Sequence, residues 1–123
     1  MDFDQIKIAV YEYTKNVVLE LKIQNTLPKV IQIDNETDSG FLWNYGKVWD
    51  EHNDNWPNYA ALVKQAIKGI KEVDRSNSIQ IMLHHSNVES AIYFFEELNP
   101  YHNEFDIIGL SYLPTISNLK TWI

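Results

Sequence analysis

The sequence predicts an α/β fold in which parallel strands alternate with helices, and three observations support this. Short apolar runs typical of strands occur at residues 30–33, 79–83 and 105–110. Segments with helical spacing of apolar residues lie before, between and after these runs. Each run ends in polar or aromatic residues. This alternation indicates parallel strands joined by right-handed helical crossovers, a class of fold that carries its sites at the carboxyl ends of the strands.

The first predicted helix covers residues 3 to about 24, because its apolar residues recur every three or four positions along one stripe. Asp2 can cap the start, with Gln5 three residues further on, and Pro28 follows the end. The stripe consists of Ile6, Val10, Tyr13, Val17 and Leu21.

The first strand, Val30 to Ile33, runs directly into the acidic sequence Asp34-Asn35-Glu36. A carboxylate at the end of a buried strand, with an amide beside it, suits a general acid in a (β/α) barrel. The spacing alone leaves a second interpretation open, in which the acidic residues only keep the strand end soluble.

A long loop is predicted from Thr37 to Trp56, and it contains several aromatic residues. Loops of this length in a compact domain are usually functional or disordered, and the tryptophans argue against disorder. The tryptophans either pack against the rim of the fold or offer flat faces to sugar rings. Asp50, Asn53 and Asp54 do not have the spacing of an EF-hand calcium loop.

The rest of the chain continues the alternation. Pro57 begins a helix that runs to about Val73, with a core face of Leu62, Val63, Ala66, Ile67 and Ile70. Residues 74–78 form a turn, and the second strand, Ile79 to Leu83, ends in His84-His85. A third helix covers about 87–98, with a Ser86–Glu89 capping box and Ile92, Phe95 and Leu98 inside. The third strand precedes Ser111-Tyr112, and residues 117–123 predict the start of another helix.

Alternation of side chains along each strand predicts which residues share a face. The apolar faces, which include Ile31, Ile33, Ile79, Ile81, Leu83, Phe105 and Ile107, should contact the helices. The mixed faces should point into a barrel interior, and they carry Gln32, Asp34, Glu36, Gln80, Met82, His84, Asp106, Ile108, Leu110 and Tyr112. This arrangement predicts Glu36, His84 and Tyr112 around one mouth. The adjacent His84 and His85 would point to opposite faces, which disfavours a shared metal. The simpler expectation is that His84 lies at the rim and His85 at the surface.

Composition excludes several classes of function. The net charge of -7 and the pI of about 4.9 argue against a nucleic-acid partner, which needs a basic face. The absence of cysteine excludes disulfides and thiolate metal sites. No apolar run is long enough to predict a membrane span, and residues 1–5 lack the pattern of a signal peptide.

Four motifs, in order and at matching separations, resemble glycoside hydrolase family 53, the arabinogalactan endo-β-1,4-galactanases. They are Pro28-Lys-Val-Ile-Gln-Ile-Asp-Asn-Glu36, Gly40-Phe-Leu-Trp43, Ile81-Met-Leu-His84 and Phe105-Asp-Ile-Ile-Gly-Leu-Ser-Tyr-Leu-Pro114. Val10-Tyr-Glu-Tyr-Thr-Lys15 also looks like the third barrel helix of that family. Asn-Glu alone would be a weak match, but the motifs together are specific.

The resemblance implies a fragment of a (β/α)8 TIM barrel. Residues 1–123 would form a partial catalytic domain that holds family strands four to six and lacks the first three and the last two. The family hydrolyses β-1,4-galactan with retention of configuration through two glutamates and is typically secreted. We expect no cofactor and no metal site in this chain. Its expected partner is therefore a galactan or arabinogalactan polysaccharide, with no nucleic acid and no membrane.

The same resemblance assigns roles to residues. Glu36 matches the acid/base and Asn35 matches the asparagine that contacts the sugar 2-hydroxyl. Trp43, His84, Ser111 and Tyr112 match positions that line the cleft. A retaining glycosidase needs a second carboxyl group about 5–5.5 Å from the first, and no glutamate in this chain matches that nucleophile.

Two residues depart from the family pattern. Asp34 stands where the family usually has glycine, about 6–7 Å from Glu36 on the same face. Either its charge would raise the pKa of Glu36, or its side chain would crowd the cleft. Leu113 stands where a second tyrosine is usual. The sequence thus leaves two hypotheses: the central piece of an endo-galactanase that is inactive alone, or a non-catalytic remnant that at most binds sugar. Open strand edges should also make the isolated chain associate.

Overall fold

The computed structural model describes residues 2–33, 40–41, 46–47, 55–86 and 88–111. Three helices and five strands occur in these ranges, with a single 3-10 turn at Asn99–Tyr101. In chain order they are α1 (Phe3–Ile23), β1 (Val30–Ile33), β2 (Gly40–Phe41), β3 (Gly46–Lys47), α2 (Trp56–Val73), β4 (Gln80–His85), α3 (Val88–Leu98) and β5 (Ile107–Leu110).

The main sheet has the order β1-β4-β5, and both pairings are parallel. Each strand lies beside the next strand of the sheet along the chain, with α2 or α3 between them. The predicted alternation of helices and parallel strands is therefore confirmed. The carboxyl ends of β1, β4 and β5 meet at one edge of the sheet, because the strands run in the same direction.

The prediction of one long loop between residues 37 and 56 is wrong in two respects. β2 and β3 pair antiparallel within it, with Gly40 opposite Lys47 and Phe41 opposite Gly46. Trp56 belongs to the first turn of α2 and is 4% exposed, so it packs in the core and is not available to a sugar. The other loop residues considered as sugar contacts or cation ligands lie outside the described residues.

The core lies between the sheet and the helices, and α2 contributes most to it. The predicted core face of α2 is confirmed, since Leu62, Val63, Ala66, Ile67 and Ile70 are all buried. From the sheet, β1 contributes Ile33 and β4 contributes Ile81 and Leu83. α1 packs closely on α2 at Gly69, where an added Cβ would lie 2.8 Å from the Tyr11 carbonyl oxygen.

α1 has the predicted bounds and the predicted cap. Asp2 accepts a hydrogen bond from the Gln5 backbone N–H at 2.8 Å, and the Gln5 side chain accepts one from the Asp2 backbone at 2.9 Å. The apolar stripe of this helix is only partly covered, since Tyr13 is 73% exposed and Val17 is 42% exposed. Val18 is its one buried residue.

Asp74 fixes the turn between α2 and β4 and is itself buried. Its carboxylate accepts hydrogen bonds from the backbone N–H groups of Ser78 and Ile79 and from the hydroxyls of Ser76 and Ser78. Burial acts to raise the pKa of Asp74, but these hydrogen bonds to the charged form outweigh it, so the pKa lies below its ordinary value. The turn therefore depends on an ionised Asp74.

α3 buries a stripe that differs in part from the predicted one. Leu98 is buried as predicted, but Ile92, also expected inside, is 71% exposed, and Ala91 and Phe94 are buried instead. Phe94 lies against Trp56 and Tyr59, with ring centroids 5.2 and 5.7 Å away. Because a helix turns about 100° per residue, a stripe centred on Phe94 leaves Ile92 on the outer side. Phe95 is only partly buried, and the Ser86–Glu89 cap is untested because Asn87 lies outside the described residues.

No helix in the described ranges is long and apolar enough to cross a membrane.

Candidate active site

Two of the predicted site residues meet at the carboxyl edge of the sheet. His84 lies near the end of β4, and Ser111 directly follows β5. The Ser111 Oγ atom is 2.9 Å from His84 Nε2, a distance typical of a hydrogen bond, whose direction depends on the imidazole tautomer. The two side chains are partly buried, so the pair is reachable from solvent and still held in place.

The strand register explains this contact and corrects the predicted faces of β5. Neighbouring residues of parallel strands point to the same side, and Met82 pairs with Ile107 while His84 pairs with Gly109. Ile107, Gly109 and Ser111 therefore share the face of His84. Alternation along the sequence predicted Ile108 and Leu110 on the face of His84. In the structure they lie on the opposite side of the sheet, where they pair with Leu83 and His85.

The corresponding predictions for β1 and β4 are confirmed. Ile31 and Ile33 pair with Ile81 and Leu83, and these residues form the apolar side of the sheet. Gln32 pairs with Met82 on the other side, together with His84. The side of the sheet away from the helices is therefore the one that carries Gln32, Met82, His84 and Ser111, and we call it the site face.

Gly109 gives the site face the space that His84 and Met82 occupy. A Cβ at position 109 would lie 2.6 Å from Met82 Sδ and 3.3 Å from His84 Cδ2. The side chains of β4 thus lean over the backbone of β5, and His84 reaches Ser111 across it. This role of Gly109 was not predicted from the sequence, although a glycine inside a strand is a recognised sign of close approach.

His85 points away from the site face, as expected for the neighbour of His84 in a strand. It is fully buried, so the expectation that it lies at the surface is wrong. Its ring contacts Phe94 at 4.9 Å between centroids and faces Phe95 at 6.3 Å. His85 is therefore part of the aromatic core. No group of three or more His, Asp or Glu suited to a metal ion occurs among the described residues.

The remaining predicted site residues lie outside the described residues. These are Glu36, Asn35, Trp43 and Tyr112, together with the family departures Asp34 and Leu113. Their positions in the sequence still relate them to the sheet, because Asp34-Asn35-Glu36 directly follows β1 and Tyr112 directly follows Ser111.

A parallel sheet with a polar pair at its carboxyl edge is compatible with part of a (β/α) barrel, and comparison with known proteins gives the family. The sequence profile of Glycosyl hydrolase family 53 matches residues 1–122. The chain belongs to this family. The resemblance inferred from the four motifs is thereby confirmed.

Three relatives illustrate the match. An uncharacterised protein of Niallia circulans, encoded in the bgaB 5' region, is 39% identical over 123 residues, covering 93% of this chain and 32% of its own. The arabinogalactan endo-β-1,4-galactanase of Cellvibrio japonicus is 28% identical, covering 92% of this chain and 31% of its own. The solved catalytic domain of family 53 from Ignisphaera aggregans superposes with a TM-score of 0.85 at 30% identity, covering 98% of this chain and 33% of its own.

This chain spans about a third of the length of each of these relatives. Its three parallel strands and their helices match part of the family's TIM barrel. The predicted fold class is thus confirmed.

Proposed function

We propose that residues 1–123 are the central part of a retaining endo-β-1,4-galactanase domain, which cleaves β-1,4-galactosidic bonds in galactan or arabinogalactan. The observation that supports this most is the His84–Ser111 pair on the site face, at the edge where barrel enzymes act. The galactanase from Cellvibrio japonicus, a relative over nearly the whole of this chain, supports the choice of substrate.

Glu36 is proposed as the acid/base of this reaction. It would protonate the glycosidic oxygen as the bond to the anomeric carbon breaks, and then deprotonate the incoming water. Its pKa must lie near the working pH for both tasks, and the neighbouring Asp34 charge would raise it in that direction. The nucleophile is proposed to come from barrel sequence outside these 123 residues, so the chain alone should not turn over galactan.

The other predicted residues would bind the substrate. We assign Asn35 to the sugar 2-hydroxyl, and Trp43 and Tyr112 to the faces of the galactose rings. Ser111 holds the His84 imidazole in one orientation, and this ordered pair is proposed to line the cleft where the sugar hydroxyls bind. A fixed imidazole loses less entropy when the sugar binds, so this pair would lower the KM.

The groove beside β1 supports the proposal that these residues belong to a larger barrel. It has a volume of about 530 Å³ and is lined mainly by apolar side chains, including Val10, Tyr13, Val17, Ile31 and Ile33. In the described sheet each helix packs beside the strands it joins, so a strand that precedes α1 would lie against α1 and the open edge of β1. Such a strand would fill this groove.

A chimera tests the proposed function. Residues 1–122 replace the matching third of the Cellvibrio japonicus galactanase, so that the remaining strands come from an established galactanase. The release of reducing ends from β-1,4-galactan is measured for the chimera, for its Glu36→Gln variant and for the isolated chain. We expect turnover by the chimera, a loss of at least about 100-fold in Glu36→Gln, and none by the chain alone.

The control is the Glu12→Gln chimera, which removes an exposed carboxylate from α1 and should keep full activity. A chimera that melts cooperatively and binds galactan without cleaving it would favour the non-catalytic hypothesis. Equal turnover with and without the Glu36 carboxylate would contradict the assignment of the acid/base.

A further inference from the structure

A cleft beside α2, on the helix side of the sheet and not on the site face, carries a concentration of positive charge that the proposed reaction does not use. It has a volume of about 800 Å³ and lies between α2 and the segment 101–104 that precedes β5. Lys64, Lys68, Lys71 and Arg75 line it. These are four of the ten lysines and arginines of a chain whose net charge is -7.

Three of the four cations form a row on α2. The spacings of four and three residues place Lys64, Lys68 and Lys71 on one face of the helix, and Arg75 lies two residues beyond its end. At 1.5 Å per residue the helical part of the row is about 10 Å long. It is only partly neutralised, because Lys71 pairs with Glu104 at 2.7 Å and Arg75 with Glu72 at 3.5 Å. Lys64 and Lys68 form no ion pair within the described part of the chain.

Lys64 and Lys68 differ in their surroundings. The charge of Lys64 reaches across the cleft, since it adds to the hydrogen bond and charge of Lys71 in lowering the pKa of Glu104. The Lys68 ammonium lies 5.1 Å from the centroid of the Tyr11 ring, a cation–π contact that leaves its charge uncancelled.

The opposite wall of the cleft carries hydrogen-bonding groups. Both polar atoms of the Asn103 side chain are buried and have no hydrogen-bond partner in the described structure. A buried amide without partners is costly, and a rotation of the Asn103 side chain toward the cleft would let a bound ligand satisfy it. The preceding residue, His102, is exposed and has a left-handed backbone with φ of 53°, an uncommon conformation for a residue other than glycine.

We propose that this cleft binds an extended ligand with several anionic groups, carboxylates or phosphates. The anionic groups lie along the row of cations, and the Asn103 amide donates a hydrogen bond to one of them. A single small anion would contact only part of a row of this length. Both walls of the cleft are formed by described residues of this chain.

The test is an amide NMR titration of the chimera at low ionic strength, where charge interactions are least screened. Three probes are used: inorganic phosphate, tripolyphosphate and a trimer of galacturonic acid. With a linear probe we expect saturable chemical-shift changes at the backbone amides of residues 101–104 and at the Asn103 side-chain amide. Inorganic phosphate should bind at least about fivefold more weakly than the linear probes. Tighter binding of tripolyphosphate identifies phosphate as the preferred anionic group, and tighter binding of the galacturonic acid trimer identifies carboxylate. Equal affinity for the two linear probes means that the cleft recognises the pattern of negative charge alone.

Matched variants separate the cleft from general electrostatics. Lys64→Gln with Lys68→Gln should weaken binding of the linear probes about tenfold, and Asn103→Ala about threefold with the charge unchanged. Lys7→Gln with Lys29→Gln makes the same change in net charge outside the cleft and should weaken binding less than twofold. The absence of saturable shifts at 101–104, equal weakening by the control pair, or inorganic phosphate binding as tightly as the linear probes would overturn the proposal.

Discussion

Ser111 Oγ and His84 Nε2 lie 2.9 Å apart, and this contact joins the ends of two adjacent parallel strands on the site face. The first prediction concerns its effect on substrate binding. In the chimera, Ser111→Ala should raise the KM for galactan about threefold to tenfold and leave kcat nearly unchanged, because it removes a contact that orients a binding group in ground and transition states alike.

A double-mutant cycle with His84→Ala checks this first prediction. The two substitutions should raise KM together by less than the product of their separate effects, since each one already breaks the same contact. Independent, multiplicative effects would show that the pair does not act as a unit.

The second prediction concerns Gly109. Gly109→Ala should destabilise the fold by about 1–3 kcal/mol, because the new methyl group overlaps Met82 Sδ and presses on His84. Truncation of Met82 to alanine removes the closest of these contacts. Measured by urea unfolding, Gly109→Ala should therefore cost less in the Met82→Ala background than in the wild type. The same cost in both backgrounds would show that Met82 is not the obstacle.

The third prediction concerns Asp74. Asp74→Asn should lower the free energy of unfolding by about 1–3 kcal/mol at pH 7, because a neutral amide accepts the hydrogen bonds of the turn less well than a carboxylate. Asp4→Asn, at an exposed ion pair, is the control and should cost less than about 1 kcal/mol.

The pH dependence of stability follows from the direction of the Asp74 shift. Its pKa in the folded state is lowered, so its stabilising effect is fully present above the unfolded value of about 3.9. This effect is lost as the pH falls through the folded pKa. Urea unfolding at pH 7, 4.5 and 3 should show that the difference in free energy of unfolding between the wild type and Asp74→Asn shrinks at the acid end. A difference that is constant with pH would argue against a stabilising role of ionised Asp74 in the turn.

The fourth prediction separates the two stripes proposed for α3. Ile92→Glu should change the free energy of unfolding by less than about 0.5 kcal/mol, since Ile92 is 71% exposed. Phe94→Ala should cost about 3–5 kcal/mol, because Phe94 is fully buried among aromatic rings. Thermal or urea unfolding measures both, and the reverse ranking would restore the stripe predicted from the sequence.

Much of the fold could be predicted because hydrophobic periodicity is a local property. The bounds of α1 and β1 and the core face of α2 follow from spacing, and the Asp2–Gln5 cap follows from residue type. The faces of β5 could not be predicted in the same way. Which side Ser111 shares with His84 depends on the register between β4 and β5, and a slip of one residue reverses every side chain.

Two other differences arise from tertiary packing. α3 is short and largely apolar, so several stripes fit its sequence, and contacts with Trp56 and Tyr59 select the one through Phe94. The depth of His85 is likewise set by its neighbours, since a histidine after a strand is equally compatible with the surface and with an aromatic core. The glutamate, asparagine and aromatic residues of the candidate site were inferred from family motifs, and their roles stay predictions.

The central claim is that Glu36 acts as the acid/base of a retaining galactanase, and azide rescue tests it most directly. An aryl β-galactobioside with a good leaving group needs no acid for the first step, whereas the second step needs a base to activate water. The Glu36→Ala chimera should therefore turn this substrate over slowly, and added azide, which needs no base, should accelerate it and yield a β-galactosyl azide. No acceleration by azide, or wild-type turnover of galactan by Glu36→Ala, would contradict the account.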